Sequence, residues 1–114
     1  MKLIIAIVRP FKLTAIVDAI SPDADFPGLT VLSSRGFGRE KSSPHVHTTD
    51  EDLRDFDEGA TLMVAAPDAA VKRVCAIIER VAHTGLPGDG KIFVLPLEDA
   101  MRIATGERLD AALQ

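Results

Sequence analysis

The stretch Thr84-Gly-Leu-Pro-Gly-Asp-Gly-Lys91 has the composition of an anion-binding loop. Glycine lacks a Cβ, so main-chain N–H groups approach a phosphate closely, and the lysine adds a positive charge. The spacing is not that of a Walker loop, and a strand pattern rather than a helix follows it. Taken alone, such a loop is more often a tight connection, so its neighbours decide. Arg35 and Arg39 bracket Gly36, Phe37 and Gly38, while Arg102 and Arg108 follow the last strand pattern. Several guanidinium groups beside glycine-rich turns are what a di- or triphosphate needs. Asp89, held between Gly88 and Gly90, reads as turn chemistry rather than as a general base.

A second cluster lies in the polar stretch 40–58. His45 and His47 share one side of an extended segment, and Asp50, Glu51 and Asp52 follow them. Two imidazoles with nearby carboxylates are a ligand set for Zn²⁺ or Cu²⁺. A solvated loop is the commoner outcome of that composition. The acidic run 50–57 suits a basic docking groove. No Ser/His/Asp arrangement or paired carboxylates can be argued from spacing, so an enzyme such as a slow nucleotide phosphatase has no residues assigned to it.

The elements that would position these groups follow from periodicity. Residues 2–9 form an apolar, β-branched strand that Pro10 closes. Leu13, Ile16, Val17 and Ile20 recur at helical spacing, and Pro22, Pro27 and Gly28 break the chain after them. A second strand is expected over 29–34 and a third over 60–66. A second helix starts at Asp68, with Val71, Val74, Cys75, Ile78, Val81 and Ala82 on one face. A fourth strand covers 91–95, and the tail 98–114 reads as a short helix followed by an extended or partly ordered segment. His83 closes the second helix, where its imidazole suits the C-terminal dipole.

The order β-α-β-β-α-β defines an α+β, ferredoxin-like sandwich: two helices on one face of a four-stranded antiparallel sheet. The other face carries apolar side chains that nothing in the chain covers, so association with further copies is expected. With 114 residues and neither Trp nor Tyr, the core is a single small one of Val, Ile, Leu and Ala, a further reason to expect an oligomer. Residues 1–114 form one domain.

A net charge of −4 argues against a nonspecific grip on nucleic acid or an anionic membrane. No apolar run approaches the ~20 residues that span a bilayer, and the opening segment lacks a small-residue cleavage site. The single cysteine, Cys75, excludes an internal disulfide and fits a reducing cytoplasm. Its apolar surroundings in sequence predict a buried, unreactive thiol.

Three segments together resemble the PII signal-transduction family. The opening strand and helix, Met1 to Ile20, are similar to the family's start; Gly36-Phe-Gly-Arg39 resembles the beginning of its T-loop. Residues 84–96, with Met101-Arg-Ile-Ala-Thr-Gly-Glu107, resemble its B-loop, last strand and C-terminal loop. The likeness covers nearly the whole chain. It implies a homotrimer with ATP, ADP or AMP, with or without Mg²⁺, in clefts between subunits. A T-loop over about 38–58 would dock on a partner transporter or enzyme, in a regulatory rather than catalytic role. It implies that Gly88, Asp89, Gly90 and Lys91 hold the phosphates, with Gly36, Phe37, Gly38 and Arg39 at the T-loop base. Arg102 reaches in from the C-terminal loop, taken as about 101–114. Ile7, Thr30, Met63, Val64 and Ala65 match the adenine and ribose surroundings, and Met63 replaces a frequent glutamate, which shifts adenine recognition toward main-chain contacts.

Several positions depart from the family pattern. Glu40 stands where 2-oxoglutarate sensors carry a glutamine that helps hold Mg²⁺, and Gly59 replaces a lysine that pairs with that ligand. Each lost charge-assisted contact is worth about 1.5–3 kcal/mol, which argues against 2-oxoglutarate as a ligand by the usual route. The chain has no tyrosine to uridylylate or adenylylate, and Asp50 occupies the place of a modifiable serine. Ala104 replaces a second arginine of the C-terminal loop, which implies a weaker hold on a γ-phosphate and a shift toward ADP or AMP.

Overall fold

The apolar run at the start becomes β1 (Lys2–Val8), and Pro10 follows it as the first residue of a 3₁₀ turn (Pro10–Lys12) leading into α1 (Leu13–Ile20). Proline suits a first turn because its missing N–H would be unpaired there. The remaining elements are β2 (Thr30–Gly36), β3 (Asp57–Ala66), α2 (Asp68–Ala82), β4 (Lys91–Pro96) and a closing 3₁₀ helix (Leu109–Leu113). The computed structural model describes residues 1–37 and 56–114.

All strand pairs are antiparallel, and the sheet order is β2-β3-β1-β4. This is the expected ferredoxin-like arrangement. Alternation along each strand sorts side chains between two faces. Ile4, Ala6 and Val8 of β1 and Ala60, Leu62, Val64 and Ala66 of β3 are buried beneath the helices. The helices meet them with Ile16 and Ile20 of α1 and with Ala70, Val74, Ile78 and Ala82 of α2, the last four each one turn apart. Arg73 of α2 ties the α1–β2 connection down through Asp23 and Asp25, each at 2.8 Å.

The structure moves several expected boundaries. β3 begins at Asp57 rather than at residue 60, because pairing with β2 continues through Arg35–Glu58 and Gly36–Asp57. Charged residues at that end of the ladder are tolerated because they reach water. The 38–58 loop therefore loses its last two residues to the strand. Asp68 is the first helical residue, with Pro67 at the cap position, so it acts through its charge in the first turn. Cys75 is half-buried rather than buried, and burial pushes its thiol pKa up.

The tail reverses the expected order. In place of a helix after residue 98, a tight hairpin forms in which Met101 bridges Arg108. Gly106 adopts φ 76° and donates its N–H to the Arg102 carbonyl at 2.7 Å, a reversal that a helix cannot contain. Asp99 grips Arg108 across the hairpin. Helical structure appears only afterwards, at Leu109–Leu113, where Leu113 is buried.

Candidate functional site

Register fixes what shares the open face of the sheet. Across one row run Lys91, Ile7, Thr61 and Leu32; across the next run Phe93, Ile5, Met63 and Thr30. Ala65 and Leu95 flank Leu3 in the row beyond. Five of the expected site residues, Ile7, Thr30, Met63, Ala65 and Lys91, thus lie on one face. Val64 alternates to the sealed side and is fully buried, which leaves only its main chain for a ligand. The β2–β3 ladder stops at Thr30–Met63, so the main chain of β3 beyond Met63 has no strand opposite it on the β2 side. That edge suits main-chain recognition of a flat heterocycle.

The loop 84–90 rises beside Ile7 and delivers Lys91 to the face. Gly90 has φ 105°, and a Cβ there would lie 1.7 Å from the Ile7 carbonyl oxygen. Only glycine lets the loop pass so close to β1. Asp89 organises the turn. Its carboxylate accepts hydrogen bonds from the Thr84 hydroxyl at 2.5 Å, the Thr84 N–H at 2.8 Å and the Gly85 N–H at 3.1 Å. Arg9, at the end of β1, donates from Nε to the same carboxylate at 3.0 Å and from Nη2 to the Pro87 carbonyl at 2.5 Å. Thr84 and then Arg9 and Gly85 hold the Asp89 carboxyl well below the usual carboxylate range. Asp89 is thus the turn residue that its flanking glycines suggest.

Next to this face, Gly59 sits opposite Ser34, and a Cβ at Gly59 would lie 3.2 Å from Ser34 Oγ and 3.5 Å from Ile7 Cγ2. The position that carries a lysine in the family pattern therefore adjoins Ile7 and offers no cation. At the mouth of the β2–β3 connection, the Phe37 and Phe56 rings pack with centroids 5.8 Å apart, and Arg35 lies 5.8 Å from the Phe56 ring centre. Gly36 and Phe37 thus mark the stem of that connection. Gly38, Arg39, Glu40, His45, His47 and Asp50 lie outside the described residues. Among the described residues, no three His, Cys, Asp or Glu side chains converge as a metal site.

Among the described residues, no hydrogen bond or ion pair joins Arg102 to this loop within one chain. β4 runs away from Lys91, and Leu97 at its far end donates to the Met1 carbonyl. The hairpin carrying Arg102 follows that far end. Its guanidinium has no hydrogen-bond partner among the described residues, and Ala104 stands near its tip. Sequence reasoning missed Arg9, Thr84 and Phe56. Arg9 reads only as the last residue of the first strand, and nothing local signals a partner 80 positions away. Thr84 carries a signal, since a threonine heading a glycine turn ahead of an aspartate favours side-chain-to-backbone bonds.

The profile of the family described as Nitrogen regulatory protein P-II matches residues 1–107. The chain belongs to the P-II family. It is 41% identical over 108 residues to the nitrogen regulatory protein P-II of Azospirillum brasilense, covering 95% of this chain and 96% of that one. It is 41% identical over 112 residues to the P-II protein of Bradyrhizobium diazoefficiens, covering 97% and 99% of the two chains. With the nitrogen regulatory protein GlnK of Escherichia coli it shares 40% identity over 113 residues, covering 99% and 100%. These relatives are regulatory proteins by name, and P-II membership makes this chain a signal-transduction regulator rather than an enzyme. Among the described residues, no helix is long and apolar enough to cross a membrane.

Proposed function

We propose that this P-II family member is a nucleotide-responsive regulator working as a homotrimer. ADP, ATP or AMP binds between subunits, with Mg²⁺ where the phosphates call for it. The observation that carries this reading is the meeting of loop 84–90 with Ile7 and Lys91 at one end of the open sheet face, while Arg102 leaves from the opposite end of β4. A site using both Lys91 and Arg102 needs a second copy to supply the arginine. The exposed apolar side chains of the open face favour the same association.

Gly88, Gly90 and Lys91 hold the phosphates, Arg39 and Arg102 add charge, and Thr30, Met63 and the main chain of Val64 and Ala65 line the base and ribose. Nucleotide occupancy shifts the population of conformations of the 38–56 connection, and that connection docks on a transporter or enzyme in the cytoplasm. Gly59 and Glu40 disfavour 2-oxoglutarate, and Ala104 favours ADP or AMP over ATP compared with relatives that carry an arginine there. Calorimetry of the purified protein with AMP, ADP, ATP and 2-oxoglutarate, alongside its mass in solution, tests the reading. The expected result is a trimer that binds ADP at least as well as ATP and does not bind 2-oxoglutarate, with ADP affinity reduced in K91A and R102A. A monomer, or a trimer that binds no adenine nucleotide, overturns it.

A further inference from the structure

A carboxylate inside an anion-binding loop poses an electrostatic problem. Asp89 lies between Gly88 and Gly90, whose φ values of 93° and 105° turn the main chain sharply on either side of it. Left free, that negative charge would repel a phosphate at the glycine N–H groups beside it. The structure turns the carboxylate inward onto Thr84, Gly85 and Arg9. Arg9 is the permanent cation beside the carboxylate, its side chain only 13% exposed, while the His83 imidazole lies 3.7 Å from the other carboxylate oxygen. The second bond of Arg9, to the Pro87 carbonyl, grips the loop on the other side of Gly88. Among the described residues, no hydrogen bond uses the N–H of Gly88 or Gly90.

We propose that Arg9 is a positioning residue for the phosphate loop: by neutralising Asp89 and holding Pro87, it turns the carboxylate away and leaves the Gly88 and Gly90 amides free for an anion. The inference rests on the nucleotide reading of the loop. Arg9 touches no phosphate in this scheme; it acts through Asp89. A salt bridge that served only the fold would affect every ligand alike, whereas neutralisation matters more as the ligand's charge grows.

The test is calorimetry of AMP and ADP on the full chain as wild type, R9M, R9K, D89N and R9M/D89N. R9M is expected to weaken ADP about tenfold and AMP by less, the scale of one charge-assisted contact. R9M/D89N recovers most of that loss, because the unneutralised carboxylate has gone. R9K, which keeps the charge, stays within about threefold of wild type for ADP and keeps the test available if R9M does not fold. Equal losses for AMP and ADP with no recovery in R9M/D89N overturn the proposal, as does R9K binding ADP more than about tenfold more weakly than wild type. If the wild type binds neither nucleotide, the nucleotide reading fails, and the clamp is read in the unliganded chain by amide exchange at residues 85–90. Faster exchange in R9M, restored in R9M/D89N, supports the positioning role; exchange unchanged from wild type overturns it.

Discussion

Along the two central strands of the sheet, β1 and β3, the two faces have opposite fates, whereas at the edges Val31 and Val94, on the helix side by register, are 40% and 47% exposed. On the helix side Ile4, Ala6, Leu62 and Val64 are fully buried. On the other side Ile7, Leu32, Phe93 and Leu95 are 38%, 50%, 47% and 42% exposed. Both faces are apolar, and neighbouring residues of the same strand supply them. The period of two along a strand sends even-numbered positions of β1 to the helix-side core and odd-numbered ones to the open face. An apolar face of this extent is not ordinarily left in water unless it has an occupant.

Substitution of Leu62 by alanine breaks the sealed face. It deletes a fully buried side chain at the centre of β3, and a loss of about 2–5 kcal/mol is expected in urea unfolding. A loss near zero would mean that the helix-side packing does not hold the sheet. Gly90→Ala attacks the point where the loop crosses β1. The φ of 105° alone costs about 1–3 kcal/mol for a residue with a Cβ. The clash with the Ile7 carbonyl forces the loop outward as well. Both unfolding stability and ADP affinity are expected to fall, and a variant that kept wild-type ADP affinity would show that the close approach is not needed for binding.

Much of this division was legible in the sequence. Apolar residues at Ile4, Ile16, Leu62 and Ile78 announce strand or helix through their spacing, and element order then leaves only a ferredoxin-like sheet. The glycine loop and Lys91 were legible because glycine and lysine carry their physics locally. Arg9 was not, since its meaning comes from a bond to Asp89 that only the β1–β4 pairing creates. The tail departs from its expected order for a related reason. Residues 98–105 have no strong helix-breaker, and the hairpin is decided by Gly106 and by the Asp99–Arg108 pair, which local periodicity does not register.

Phe93→Ala probes the open face and sharpens the contrast with Leu62. In a separate chain, a side chain that is 47% exposed gives up less burial, and a loss under about 1 kcal/mol is expected. If the face is covered by other copies, the wild-type unfolding midpoint rises with protein concentration, and the variant flattens that rise. A wild-type midpoint independent of concentration, with a chain that sediments as a monomer, would remove the association from the account.

The smallest expected effect separates the loop from both faces. Thr84, Arg9 and Gly85 stabilise the charged form of Asp89, so its folded pKa lies below its unfolded one. The contribution is therefore complete above the unfolded carboxyl value of about 4 and disappears as pH falls through the lower folded value. Asp23, bonded by Arg73, and Asp68, bonded by the chain's amino group, shift in the same direction and lose stability in the same acid window. Urea midpoints measured from pH 7 down to acid should hardly change until pH nears 4 and then fall. Asp89→Asn should start lower at pH 7 and fall less steeply below pH 4, because one of the three linked protons is gone. Parallel curves for wild type and variant would show that the Asp89 clamp does not couple to folding, and would limit its role to the loop's own geometry.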